Sequence, residues 1–191
     1  MTLAEWAAAL NDRIKDSGNV LFTAAEKEAH IQAAVQEYGR RRPRHFYSDL
    51  TITAGTQAYA LPGGCAWVVE AILPGPAIET LQNEDPEDAA VRLRGWLLVD
   101  DHFYLFPVPR EDATVKLHCV GSWAVDEVPD EESELVLLAA HARCCEVLAT
   151  DSARAFAFWS GNEKFDRSQV SEHYRALAGD LWRQFARRLP A

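Results

Sequence analysis

The spacing of apolar residues changes along the 191-residue chain, and this change limits the folds that the chain can adopt. Near the N-terminus apolar residues recur every three or four positions, which predicts an amphipathic helix. A second helix is predicted to begin at Thr23, because Thr23 and Glu26 form a capping-box pattern. It is predicted to end near Arg42, because Pro43 disfavours the helical conformation at the residue before it. The apolar positions of the first helix are Leu3, Trp6, Ala7, Leu10 and Ile14.

In the middle of the chain the apolar spacing shortens to two residues, which is typical of strands. Leu50, Ile52, Tyr59 and Leu61 alternate with small or polar residues around Gly55, and this pattern predicts a β-hairpin. Five or six mostly antiparallel strands are predicted in all. The others lie in "AWVVEAILPGP", in the two halves of "GWLLVDDHFYLFPVP" and in "ATVKLHCVGSWAV", while "ETLQNEDPEDAA" is predicted to be an acidic surface loop or a short helix.

Helical spacing returns after "VPDEES". Acidic residues crowd the predicted first turn of the third helix, where the helix dipole favours anions. The last helix is predicted to begin near Ser168 and to end in three arginines, where the dipole favours cations. The third helix has its apolar stripe at Leu135, Leu138, Ala139, Ala142, Cys145 and Ala149, and the last helix at Val170, Tyr174, Leu177, Leu181 and Phe185.

This order of patterns predicts an α+β protein that is mainly α. About four helices form an antiparallel bundle, and a mostly antiparallel β region is inserted between the second and third helices. Residues 1–45 are predicted to be a helical hairpin, residues 46–128 the β insertion, and residues 129–191 the helices that complete the bundle. The whole is one structural domain with an insertion.

Charge is distributed unevenly along the chain, whose formal net charge is −10. Residues 46–150 carry a net charge of −13, whereas residues 1–45 carry +1 and residues 151–191 carry +2. Against this background four arginines lie within residues 40–44. Three interpretations of these arginines are open: they bind nucleic-acid phosphate, they form the solvated end of a helix, or they pair with carboxylates on another subunit or partner. The acidity of the chain disfavours tight binding of duplex DNA.

The sequence lacks the common catalytic motifs, including G-x-S-x-G, the P-loop, G-x-G-x-x-G, H-E-x-x-H and C-x-x-C. It also lacks an apolar run of the ~20 residues that span a membrane, and its N-terminus does not resemble a signal peptide. We expect the four cysteines to be reduced.

Three groups of residues admit a chemical role beside a structural one. His141, Cys144 and Cys145, with His118-Cys119, have zinc-ligand chemistry, but core packing is favoured for them. The carboxylates at the start of the third helix have the chemistry of acid/base catalysis, but a role as solvated capping residues of that helix is favoured for them. Aromatic residues suit stacking on bases or sugars, but core or interface packing is favoured. The carboxylates are Glu131, Glu132 and Glu134, and the aromatic residues are Phe156, Phe158 and Trp159.

Several segments together resemble the head–tail connector (adaptor, or neck) proteins of tailed bacteriophages and related particles. The likeness begins with "LNDRIKDSGNVLFTAAEKEAHIQAAVQEYGRRRPR" and continues through "DLTITAGTQAYALP", "FYLFPVP", "TVKLHCVG" and "DEESELVLLAAHARCCEVLA". The family's strand-pair pattern is met by Thr51, Thr53, Gly55, Tyr59, Leu61 and Pro62. The likeness covers most of residues 3–150, and the last forty residues match only as a helical end.

The resemblance implies a structural protein that is not an enzyme and uses no cofactor, metal or membrane. It implies a homo-oligomeric ring, usually of twelve subunits, which lies under the portal in the virion neck and docks tail or stopper proteins. It also implies assembly in the bacterial host cytoplasm and a channel through which DNA passes without sequence-specific binding. The acidic middle region would line that channel or face the exterior. A glycan hydrolase of tail assembly and a DNA-binding module remain alternatives.

On this interpretation the basic segments contact another subunit or the portal. The ring contacts are heterologous, so a basic surface of one subunit meets an acidic surface of its neighbour. The predicted contact residues are Arg40, Arg41, Arg42, Arg44, Arg183, Arg187 and Arg188.

Overall fold

The structure, a computed structural model, describes residues 1–73, 91–92, 95–154, 158–160, 163–165 and 168–189. The chain forms two compact units. The helical unit consists of Met1–Arg42 and Trp123–Ala191, and the β unit consists of Pro43–Ser122. The predicted boundaries were 45/46 and 128/129.

Four helices are present in the described part of the chain: α1 (Leu3–Ile14), α2 (Ala24–Arg41), α3 (Ser133–Arg154) and α4 (Ser168–Arg188). The strands that separate α2 from α3 in the chain pair antiparallel, so the predicted α+β, mainly α class is confirmed. No helix among the described residues is both long enough and apolar enough to cross a membrane.

The ends of α2 lie where the sequence predicted them. The hydroxyl of Thr23 accepts a hydrogen bond from the Glu26 N–H at 3.3 Å, and the Glu26 carboxylate accepts one from the Thr23 N–H at 2.8 Å. This reciprocal pair is the predicted capping box. The helix ends at Arg41, and Arg42 is its C-terminal cap before Pro43.

Helix α3 is the central helix of the helical unit, because α1, α2 and α4 all pack against it. It is buried on more than the one predicted stripe, and the small side chains of Ala139, Ala140 and Ala142 let its neighbours approach closely. Trp6 and Phe185 are among the largest fully buried side chains around it. The prediction that Val170 faces inward is wrong: its side chain is 42% exposed in the first turn of α4.

A buried ion pair fastens the connection between α1 and α2. The Lys27 ammonium lies 2.9 Å from the Asp16 carboxylate, and both side chains are almost fully buried. Lys27 also donates to the Asp16 carbonyl at 2.6 Å, to Asn11 Oδ1 at 2.6 Å and to Asn19 Oδ1 at 2.7 Å. The N–H groups of residues 20, 21 and 22 donate to the Asp16 carboxylate. Every charge that this loop buries is therefore hydrogen-bonded.

The β unit contains two sheets among its described residues. The four-stranded sheet has the order β1-β7-β3-β4, and the three-stranded sheet has the order β2-β6-β5. All of these strand pairs are antiparallel, and a further antiparallel pair, β8-β9, lies between α3 and α4 in the chain. The strands are β1 (Arg44–Ile52), β2 (Ala58–Ala60), β3 (Cys65–Leu73), β4 (Val91–Arg92), β5 (Trp96–Val99), β6 (His102–Leu105), β7 (Ala113–Gly121), β8 (Phe158–Ser160) and β9 (Glu163–Phe165).

The predicted hairpin around Gly55 is wrong. β1 pairs with β7, and β2 pairs with β6, so the turn carries the chain from one sheet to the other. The turn itself is present, because Gly55 has a φ of 80° and the Tyr59 hydroxyl lies 3.2 Å from the Thr53 nitrogen and 2.8 Å from the Thr56 carbonyl oxygen. Alternating side chains indicated two strands correctly but could not identify their partners.

Other strand predictions are confirmed. β5 and β6 form a hairpin whose turn is at Asp100 and Asp101, and β3 and β7 lie in the predicted segments. The strands described between α2 and α3 number seven rather than five or six, because the two-residue strand β4 was not predicted. The predictions for "ETLQNEDPEDAA" and for Phe156 lie outside the described residues, as do the side chains of Phe158 and Trp159.

Candidate functional site

The basic residues at the end of α2 share one carboxylate. Arg40 Nη1 lies 3.5 Å from Glu37 Oε2, and Arg41 Nε lies 3.2 Å from Glu37 Oε1. The Arg40 side chain is 78% exposed. The Arg41 guanidinium also lies over the ring of Phe185, 5.7 Å from its centroid. Two guanidinium groups and one carboxylate leave this end of α2 with excess positive charge.

Arg42 is engaged within the helical unit. Its guanidinium pairs with the Glu132 carboxylate, and its carbonyl oxygen accepts a hydrogen bond from Trp123 Nε1 at 2.7 Å. The hydrogen bond to Glu132 raises the pKa of Arg42 above its usual value. Arg42 therefore ties the end of α2 to the segment that leads into α3.

Arg44 lies in the other unit, as the first residue of β1. Its guanidinium lies over the ring of Phe46, 4.5 Å from the centroid. The short arginine cluster of the sequence is therefore divided between a helix end, a helix cap and a strand.

The three predicted arginines of α4 have different surroundings. Arg183 pairs with Asp180 and donates to the Gly179 carbonyl at 3.3 Å. Arg188 lies 3.9 Å from Glu134, and Arg187 is exposed and has no ion pair within the described residues. The side chains of Arg183 and Arg188 are 68% and 54% exposed. All three arginines are therefore accessible to a partner.

A surface groove joins the basic ends of α2 and α4. It has a volume of about 460 Å³. Its lining residues are Glu37, Arg41, Arg143, Trp182, Arg183 and Ala186. The structure thus brings Arg41 and Arg183 to one site. Among the described lining residues there are three guanidinium groups and a single carboxylate.

Arg143 of α3 is the arginine of this groove that the sequence patterns did not single out. Its guanidinium lies 5.9 Å from the centroid of the Trp182 ring, and Trp182 Nε1 donates to Glu146 at 2.8 Å. Arg143 Nε is buried and has no hydrogen-bond partner among the described residues. The available signal was the position itself: a charged residue in the apolar run "LVLLAAHARCC".

The candidate acid/base carboxylates lie at the N-terminal end of α3. Glu132 pairs with Arg42, and Glu134 pairs with both Arg13 and Arg188. Glu131 is exposed. The ion pairs of Glu134 connect α3 with α1 and α4, and the ion pair of Glu132 connects the residue before α3 with the C-terminal cap of α2. Both carboxylates therefore have a structural role.

Two of the three candidate zinc ligands on α3, Cys144 and Cys145, belong to the core, and His141 is half-buried. Cys144 and Cys145 are buried, and burial raises the pKa of the Cys144 thiol to about 12 and that of Cys145 to about 11. Such thiols stay protonated at neutral pH, whereas a metal ligand must be a thiolate. Within the described residues no three His, Cys, Asp or Glu side chains are grouped so that they could hold a metal ion. All four cysteines are free thiols.

A second candidate contact surface is the exposed face of the four-stranded sheet. His45 Nδ1 lies 3.2 Å from His118 Nε2, and the Tyr47 ring stacks on the His118 ring at a centroid distance of 4.9 Å. Tyr47 is 60% exposed and Trp67 is 59% exposed. Large aromatic groups at the surface are typical of protein contacts.

The described residues thus form a helical bundle with a β insertion, whose exposed arginines and aromatic side chains suit contacts with other proteins. A sequence model of the SU10 adaptor protein family matches residues 1–185. The chain therefore belongs to the SU10 adaptor protein family, and the resemblance to head–tail connector proteins is confirmed.

Two solved structures are similar to the chain. One is a chain in the neck of an empty gene transfer agent (GTA) particle computed with C6 symmetry. It is 16% identical to this chain, the match covers 92% of this chain and 88% of the other chain, and the TM-score is 0.35. The other is in the neck of a native GTA particle computed with C12 symmetry, with 19% identity, coverages of 88% and 90%, and a TM-score of 0.29. No curated protein matches the chain.

Proposed function

We propose that this protein is a structural head–tail adaptor of a tailed phage or phage-like particle. The observation that carries the proposal is the match to an adaptor family over residues 1–185. In the proposed role the protein lies in the neck of the virion, beneath the portal, and is assembled in the bacterial host cytoplasm. It extends the DNA channel and docks a tail or stopper protein.

The proposed assembly is a homo-oligomeric ring of twelve subunits. Its contacts are heterologous, because each subunit of a ring presents two different surfaces to its two neighbours. The distribution of exposed apolar groups supports a contact role for the β unit. Of the ten large apolar residues exposed in the described chain, seven lie in this unit: Tyr47, Trp67, Val69, Leu97, Val99, Phe106 and Val108.

The exposed arginines are the proposed polar contacts with a neighbouring subunit or the portal. Arginine suits this role, since its planar group can bind a carboxylate with two parallel hydrogen bonds. Arg42 is proposed as a contact only through donors that its pair with Glu132 leaves unused. The other proposed contact residues are Arg40, Arg41, Arg44, Arg183, Arg187 and Arg188.

The proposed role is not enzymatic, and DNA passes through the ring without sequence-specific binding. The net charge of −13 in residues 46–150 supports the second point, because like charges keep phosphate away from the protein surface. The family match supports the non-enzymatic role, and the ion-paired states of Glu132 and Glu134 are consistent with it.

Mixing the purified chain with the portal protein of the same particle tests the proposal. We expect a complex with several adaptor chains per portal ring in sedimentation velocity and negative-stain microscopy. A chain that stays monomeric and leaves the portal unchanged at every salt concentration would contradict it. Activity on peptidoglycan that is lost on replacing one carboxylate would favour the hydrolase alternative, and tight duplex binding that weakens steeply with salt would favour the DNA-binding alternative.

A further inference from the structure

The groove between α2, α3 and α4 has more hydrogen-bond donors than the described chain uses. A guanidinium group has five N–H donors. Arg41 uses its Nε toward Glu37, and Arg183 uses Nε and Nη2 toward Gly179 and Asp180. Their other N–H groups are available at the groove, where Glu37 is the one carboxylate in the lining.

Arg143 is the arginine of this groove that has a buried N–H donor without an acceptor among the described residues. It forms no ion pair with a carboxylate in the described part of the chain, and its Nε is buried without a partner. The Trp182 ring covers its guanidinium on one side, 5.9 Å from the ring centroid. A buried donor without an acceptor costs free energy. Arg143 also lines the groove, so a carboxylate bound there can pair with the positive charge of its guanidinium.

We propose that this groove binds the acidic segment of residues 79–90 of a second copy of the chain. The segment, "ETLQNEDPEDAA", lies outside the described residues and contains five Asp or Glu and no Lys or Arg. Four of the five are in "EDPED", where Pro86 separates two acidic pairs. Trp182 offers an apolar surface to the proline, and the three arginines offer donors to the flanking carboxylates. The inference deepens the proposed ring and rests on it, because it names one of the contacts between neighbouring subunits.

A carboxylate peptide fits this groove better than nucleic acid. Glu37 in the lining repels a continuous phosphate backbone, whereas a short acidic peptide can place its few carboxylates away from Glu37. The net charge of −10 also repels nucleic acid at long range.

The test uses the intact chain and a fluorescein-labelled synthetic peptide of residues 79–90, measured by anisotropy at about 25 mM salt, where screening is weak. A control peptide carries the amides Gln and Asn in place of Glu and Asp. The chain variants are Arg143→Gln and Arg183→Gln, with Arg175→Gln as the matched control on an exposed position of α4 outside the groove. Circular dichroism checks that each variant is folded.

We expect the acidic peptide to bind and the amide peptide not to bind. Arg143→Gln should weaken binding about tenfold, which is the effect of one charge-assisted hydrogen bond. Arg183→Gln should weaken it several-fold, and Arg175→Gln should leave it unchanged. If Arg143→Gln does not fold, Arg183→Gln decides the question, since its side chain is exposed and paired only within α4.

Three results would overturn the inference. One is equal binding of the peptide to the wild type and to both groove variants, or no binding to any form of the chain. Another is a short DNA duplex that displaces the peptide and itself requires Arg143. The third is binding of the peptide that is seen only after the carboxylates of residues 84–88 in the protein have been replaced by amides. This result would mean that the segment occupies the groove of its own chain. Since the assay needs neither portal nor ring, a negative result leaves the adaptor role intact, and failure of portal binding leaves the peptide result intact.

Discussion

Replacing Lys27 by Met tests the account of the α1–α2 connection most sharply. Met keeps much of the length of the lysine stem, so the substitution removes the ammonium without a large cavity. Removing one partner of a buried ion pair costs about 3–5 kcal/mol. We expect about 3 kcal/mol, the lower end of that range, because the carboxylate of Asp16 keeps hydrogen bonds from three N–H groups, at 2.7, 3.0 and 3.0 Å.

The assay is urea unfolding near neutral pH, followed by the far-ultraviolet circular dichroism of the helices. If the free energy of unfolding falls by about 2 kcal/mol per molar urea, the substitution lowers the midpoint by about 1.5 M. Lys15→Met is the matched control, since Lys15 is exposed and has no ion pair among the described residues. A Lys27→Met midpoint equal to that of the control would refute the conclusion that this buried pair holds the connection together.

Three further substitutions test the same ion pair, the β unit, and the contact between α3 and α4. Burial alone would raise the pKa of Asp16, but hydrogen bonds from Leu21, Lys27, Phe22 and Val20 hold it well below its usual range. The stabilisation by Asp16 is therefore complete above the unfolded-state pKa of about 4 and is lost as the pH falls toward the folded-state pKa. In Asp16→Asn the midpoint of urea unfolding should depend less on pH in this acid range. A pH dependence as steep as that of the wild type would contradict this explanation. Gly121→Ala places a Cβ 1.8 Å from the Gly64 carbonyl oxygen, so we expect loss of the soluble, cooperatively unfolding protein, and a wild-type melting curve would contradict the β7 geometry. Ser171→Ala removes a buried 2.7 Å hydrogen bond to the Ala149 carbonyl and should cost about 1 kcal/mol in urea unfolding; no change would show that this bond is not formed.

The sequence predicted the elements that local chemistry determines. The capping box of Thr23 and Glu26 and the stop at Pro43 define α2, because both signals act within a few residues. Strand pairing could not be predicted in the same way. β1 finds its partner about 70 residues later in β7, and alternation in Leu50 and Ile52 carries no information about that partner.

The candidate site was predicted in part. Arg41 and Arg183 were predicted as contact residues from their charge, and the structure places both at one groove. Arg143 was missed: a charged residue in an apolar run is unusual, but nothing in its neighbouring residues shows that three helices meet around it. Asp16 and Lys27 were missed for a related reason: each looks like an ordinary charged loop or helix residue until the chain folds and buries both.

Cryo-electron microscopy of the particle that contains this protein tests the central claim most directly. We predict that this chain fits the density of a ring between the portal and the tail. Density for the chain elsewhere in the particle, or a neck built entirely from other proteins, would contradict it.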